Sequence, residues 1–172
     1  RKGGKGKGPR VQLLGSGTIL REVIAAADLL KKDWGIEADI WSCPSFTLLA
    51  RDGVATARWN LLHPTAEPRK PYVQQCLENT EGPVIASTDY VRAFADQIRP
   101  YVSRPYKVLG TDGFGRSDTR EKLRHFFEVD RKWVTVAALS SLAEEEKLDR
   151  AKVGEAIKKY SLDPEKPNPL TV

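Results

Sequence analysis

The chain has 172 residues, of which 40% are apolar and 30% charged, with a formal charge of +5. That size suits one domain with a single core, and no apolar run nears the ~18 residues that a membrane-spanning helix needs. The first ten residues hold five of the 28 basic side chains and no acid, leaving 23 basic against 23 acidic side chains over 11–172; this neutral body argues against a nucleic-acid partner, since polyanion binding would rest on the tail alone.

"RKGGKGKGPR" is basic and glycine-rich, cannot bury enough apolar surface to order itself, and reads as a linker over residues 1–10, ahead of a single domain over 11–172. "VQLLG" is a first strand, stopped by "GSG". The following "TILREVIAAADLLKKDWG" repeats apolar residues at three- and four-residue steps, which predicts a helix with Ser16 or Thr18 as cap and Gly35 as stop. "EADIWSCP" is a second strand ended by Pro44, and the strand–helix–strand unit is expected to be parallel.

Two helical stretches are predicted next, "SFTLLARDG" capped by Ser45 and "ATARWNLLHP" ending where His63 meets Pro64. After the proline-broken "TAEPRKP" come a helix at "YVQQCLEN" and a third strand at "GPVIASTD", whose unbroken apolar character suits a strand covered on both faces. "YVRAFADQIRPYV" is expected as a helix with Val91, Phe94, Ala95 and Ile98 inward, and "YKVLGTDG" as the fourth strand. A helix starting at Asp118, with Glu121 at capping-box spacing and Leu123, Phe126 and Phe127 as buried stripe, precedes two more helices and a proline-rich tail. This alternation predicts the α/β class: a three-layer α/β/α sandwich around a mostly parallel sheet.

The chemistry-bearing residues do not assemble an active site. Gly15 and Gly17 begin a dinucleotide-type turn, but Leu20 stands where its third glycine belongs, and no P-loop occurs. Ser117 and His125 lie eight residues apart, roughly 12 Å along a helix, so they cannot form a nucleophile–base pair. Cys43 and Cys76, thirty-three positions apart without a CxxC pair, read as buried free thiols in a reducing cytoplasm. His125 faces away from the Leu123/Phe127 stripe, and Arg116, Asp118, Arg120 and Arg124 form a charge network that is solvated or set against another domain.

"VQLLGSGTILREV", "SFTLLARDG", "RWNLLHP", "ASTDYVRAFADQIRPYV" and above all "VLGTDGFGRSDTREKLRHFFEVD" together resemble the C-terminal domain of the single-chain, homodimeric bacterial pyruvate dehydrogenase components. The resemblance runs in order from about Val11 to the end, with Leu48 standing where glutamate is common. It implies a transketolase-like C-terminal domain whose first strand lies between "DIWSC" and "PVIAST" with "KVLG" beyond, plus an antiparallel edge strand from residues before the linker, which the tail supplies in part if at all. It also implies that the intact enzyme oxidatively decarboxylates pyruvate on thiamine diphosphate and Mg2+ and acetylates lipoyl groups of a dihydrolipoamide acetyltransferase core.

The GDG-to-Asn pattern by which that family anchors its cofactor is missing here. The resemblance therefore implies that the cofactor belongs to upstream domains and that no catalytic, cofactor-binding or metal residue carries over. What remains is a non-catalytic module that contacts those upstream domains and a second subunit, through Ser16, Asp89, Tyr90, Asp112, Phe114 and Arg116 and, in a second group, Arg58, Trp59 and His63. The alternatives are a free-standing domain binding a nucleotide or other anion at "GSG" and "TDGFG", or a basic-armed nucleic-acid binder.

Overall fold

A computed structural model describes residues 2–3 and 6–172; Arg1, Gly4 and Lys5 of the expected linker lie outside the described residues. Four parallel strands, β1 (Arg10–Gly15), β2 (Glu37–Ser42), β3 (Val84–Ser87) and β4 (Tyr106–Leu109), form one sheet in the order β2-β1-β3-β4. The observed order is the one implied by the family resemblance. Beyond the named strands, Lys2 makes an isolated antiparallel bridge to Ile40 of β2, exchanging N–H···O bonds of 2.8 Å in both directions.

Side chains alternate across the sheet, as a period of two requires. Val11, Leu13 and Ile85 enter a core with α1 (Leu20–Trp34), α6 (Arg131–Glu144) and α7 (Arg150–Lys159), in which Val23, Leu30, Val134 and Leu142 are fully buried. Leu14, Val84 and Ala86 enter the opposite core under α2 (Phe46–Leu62), α3 (Tyr72–Leu77) and α4 (Arg92–Asp96). All four residues of β3 are buried, matching its unbroken apolar run. This is the α/β layering expected from the sequence.

Several local expectations change. The two helical stretches after Ser45 are one helix, α2, capped by Ser45 Oγ accepting from Leu48 N at 3.1 Å. Gly53, the point of the expected break, instead lets the helix press against Tyr101: a Cβ there would lie 2.1 Å from the ring. Helix α1 has no side-chain cap, because a 3-10 turn at Gly17–Ile19 leads into it and the Ser16 hydroxyl is engaged elsewhere. It ends at Gly35 as predicted, with Gly35 N and Ile36 N bonding the carbonyls of Lys31 and Leu30.

Helix α5 (Arg120–Phe126) is capped by Thr119, with Asp118 Oδ1 accepting from Thr119 N at 2.7 Å, so the start shifts by one residue. Its Leu123, Phe126 and Phe127 stripe is only half-buried. The helix expected at "YVRAFADQIRPYV" shortens to α4 and a 3-10 turn at Arg99–Tyr101, since Pro100 cannot continue an α-helical ladder. Ala95 and Ile98 are buried as expected, but Phe94 is 38% exposed and packs at the surface against the tilted ring of Tyr90.

Candidate functional site

In open parallel sheets the loops beyond the carboxyl ends of the strands present the contact residues. Here the loops following β1, β3 and β4 converge, and six predicted residues meet there. Ser16 Oγ donates to Thr88 Oγ1 at 2.9 Å, tying the β1 loop to the β3 loop. Asp89 Oδ2 accepts from Thr18 Oγ1 at 3.0 Å, while the Asp89 carbonyl accepts from Thr111 Oγ1 at 2.8 Å. Tyr90 O accepts from Thr111 N at 3.0 Å, and the Tyr90 ring meets Phe94 at 5.0 Å between centroids.

Asp112 ties the β4 loop to the start of α4: Oδ1 accepts from Arg92 N at 3.0 Å, and Oδ2 pairs with the Arg92 guanidinium. Phe114 and Arg116 stand over an open cleft of about 600 Å³ that also involves Thr18, Asp89, Asp118 and Arg120. Phe114 is 77% exposed, while Arg116 lies 4.4 Å from the Phe126 ring centroid. Ser16, Asp89 and Asp112 thus hold the loops in place, whereas Tyr90, Phe114 and Arg116 present surface.

The second predicted group lies elsewhere. Trp59 and His63 stack at 4.2 Å near the far end of α2, some 20 Å of helix beyond its start. His63 Nδ1 bonds the Trp59 carbonyl at 2.8 Å, and Arg69 covers the indole at 3.6 Å. Arg58 is exposed and joins neither the stack nor the loops.

Sequence reasoning missed the loop-organising role of Thr18, there read as a cap, and the residues Thr88, Arg92 and Thr111, because the loops they tie together are remote in the chain. It also missed Glu22, whose buried carboxylate accepts from Arg124 Nη1 and Arg131 Nε, both at 2.9 Å. Burial pushes this carboxyl up, but hydrogen bonds and charge from Arg131, with charge from Arg124, outweigh it and hold the group below its ordinary range. A buried stripe of α1 containing a glutamate was the available signal.

The Ser16 hydroxyl bonds a threonine rather than a base, and His125 Nδ1 sits 3.2 Å from Asp130 Oδ2, the cap of α6. The donor set does not fit a diphosphate-bound magnesium: Asp89, Asp112 and Asp118 are directed to Thr18, Arg92 and Thr119 N, and no group of three or more His, Cys, Asp or Glu among the described residues could hold a metal. No helix among the described residues is long and apolar enough to cross a membrane.

On the opposite face of the sheet, a mainly apolar pocket of about 370 Å³ is lined by Leu14, Trp41, Leu48 and Tyr72 together with both cysteines. Cys43 is buried, with its thiol pushed up to about 12 by burial, whereas Cys76 is only half-buried rather than fully so as expected. Since the thiolate is the nucleophile, iodoacetamide at pH 8 will label Cys76 at least ~100-fold faster than Cys43, read by peptide mass spectrometry; equal rates contradict the assigned burial.

Comparison with known proteins gives a consistent result. Residues 2–130 match the family described as the transketolase-like TK C-terminal domain. The chain is 73% identical over 164 residues to the pyruvate dehydrogenase E1 component of Cupriavidus necator, covering 95% of this chain and 18% of that protein. It is 63% identical to the protein of the same name from Pseudomonas aeruginosa and 54% identical to that of Escherichia coli K12, covering 93% and 98% of this chain and 18% of each relative. The chain thus spans about a fifth of the length of these relatives.

Among solved structures, a split gene transketolase described as an inactive beta4 tetramer superposes with a TM-score of 0.53 at 17% identity, over 80% of this chain and 40% of that chain. A transketolase from Leishmania mexicana gives 0.51 at 15% identity, over 82% and 17%. These two likenesses concern the fold alone.

Proposed function

Because the chain belongs to the family of transketolase-like C-terminal domains, we propose that it serves as the C-terminal, non-catalytic domain of a pyruvate dehydrogenase, acetyl-transferring component. The 73% identity across 95% of the chain carries this reading. In it, residues 1–10 lead into a single domain over 11–172. The intact enzyme is cytoplasmic and homodimeric; it binds thiamine diphosphate and Mg2+ on upstream domains, oxidatively decarboxylates pyruvate and acetylates lipoyl groups of a dihydrolipoamide acetyltransferase core. The engaged carboxylates at the sheet edge support assigning the cofactor to other domains.

Within this reading Tyr90, Phe114 and Arg116 touch the upstream domains or the second subunit, on a platform that Ser16, Asp89 and Asp112 hold rigid. Arg58, Trp59 and His63 form a second, separate contact. Exposed aromatics on a braced loop suit an interface anchor, because little conformational freedom remains to be lost on docking.

Two measurements test the proposal. Given pyruvate, thiamine diphosphate and Mg2+, the 172-residue chain releases no carbon dioxide, and measurable decarboxylation refutes the non-catalytic assignment. In the longer polypeptide, Phe114→Asp weakens subunit association about 30-fold in sedimentation, the loss expected for an aromatic anchor of ~2 kcal/mol. Unchanged association refutes a second-subunit contact for Phe114.

A further inference from the structure

We propose that the open basin bounded by α5, the first turn of α6 and Lys166 is a docking site for an acidic polypeptide segment. The basin encloses about 1000 Å³, and its wall carries Arg120, Lys122, Arg124, Arg131, Lys132 and Lys166. Its centre is two guanidiniums held together by one carboxylate. Glu22, whose side chain is 6% exposed, accepts from Arg124 Nη1 at 2.9 Å and from Arg131 Nε and Nη2 at 2.9 and 3.2 Å. One positive charge of that trio is uncompensated, and the Arg131 side chain is half exposed toward the basin.

Around this centre the accounting stays positive. Arg120 and Lys132 form no ion pair among the described residues, Lys122 reaches Asp118 only at 3.7 Å, and Lys166 is matched by Glu128 at 3.0 Å. Asp130 caps α6 by accepting from the amides of Lys132 and Trp133, where the helix dipole offsets its charge. Glu121 is the remaining acid of the wall. An anion entering the basin therefore meets two guanidiniums already held by Glu22, with the exposed Arg120 and Lys132 beside them, and the held pair reduces the ordering that binding requires.

The wall discriminates between anions. Single-stranded nucleic acid needs open aromatic faces for stacking, but the Phe126 ring is already flanked by Arg116 at 4.4 Å and Lys166 Nζ at 5.1 Å. A peptide brings carboxylates for the cations and N–H groups for the carboxylate of Glu121, whereas a phosphate brings only acceptors.

The test is anisotropy of a fluorescein-labelled hexaglutamate peptide titrated with the 172-residue chain. Saturable binding at 20 mM NaCl should weaken about tenfold or more at 200 mM, as screening predicts for a partly exposed charge contact. The double variants Arg120→Glu/Lys132→Glu and Arg120→Gln/Lys132→Gln, checked for native circular dichroism, leave Glu22 and its partners intact and should lose about tenfold and threefold respectively. No binding at millimolar chain, or binding that these variants do not change, overturns the proposal. So does tighter binding of inorganic triphosphate or of a single-stranded oligonucleotide than of the peptide.

Discussion

Gly82→Ala will lower the stability of the chain by about 3 kcal/mol, combining a left-handed backbone cost for alanine with overpacking against a rigid neighbour. Gly82 has φ of +81°, and a Cβ built there would lie 1.7 Å from the Arg10 carbonyl oxygen and 2.7 Å from its carbon. The obstacle is backbone of β1, which pairs with β2 and β3 on its two sides and cannot yield as a flexible side chain could. The same turn is pinned by Gln12 N donating to Pro83 O at 2.9 Å and by Arg104 Nη1 donating to Gly82 O at 3.0 Å. Urea unfolding monitored by circular dichroism measures the effect; a midpoint unchanged from the parent chain contradicts this placement of the turn.

Glu22→Gln will cost about 2 kcal/mol, less than the 3–5 typical of a broken buried pair because the half-exposed Arg131 can recover part of its hydration. The substitution leaves two guanidiniums facing each other without the charge that holds them, and it loosens the junction of α1 with α5 and α6. The pH dependence follows from the lowered carboxyl. Between its folded value and the ordinary 4.5, the unfolded chain binds more protons than the folded one. The contribution of Glu22 is therefore fully present above about pH 4.5 and is lost as pH falls through the folded value. The stability gap between parent and variant should accordingly shrink in acid, and a gap that stays constant from pH 7 to pH 3 rules out the ion-pair origin.

Both predictions concern residues whose importance is tertiary, and the same division runs through the fold. Strands and helices were legible because the apolar residues of "VQLLG" and "GPVIAS" are nearly continuous, while those of "TILREVIAAADLL" repeat with the turn of a helix. The cap at Ser45 and the stop at Gly35 were legible because each acts within four residues of itself. Six of the nine predicted contact residues converge on the carboxyl edge of the sheet, since loops after parallel strands must emerge at that edge. The Trp59 group stands apart because the length of α2 carries it away.

By itself, then, the amino-acid order determined which segments extend and which coil: hydrophobic period and turn chemistry are local in the chain. Only the folded arrangement decided that Gly53 continues α2 by seating Tyr101, that the Ser16 hydroxyl leaves the helix start for Thr88, and that Asp112 meets Arg92 twenty residues away. It also decided that Glu22 and Arg131, separated by 109 positions, share one buried contact. Such pairings depend on which surfaces the layers press together, and a side chain's neighbours across a layer leave no periodic trace in the sequence around it.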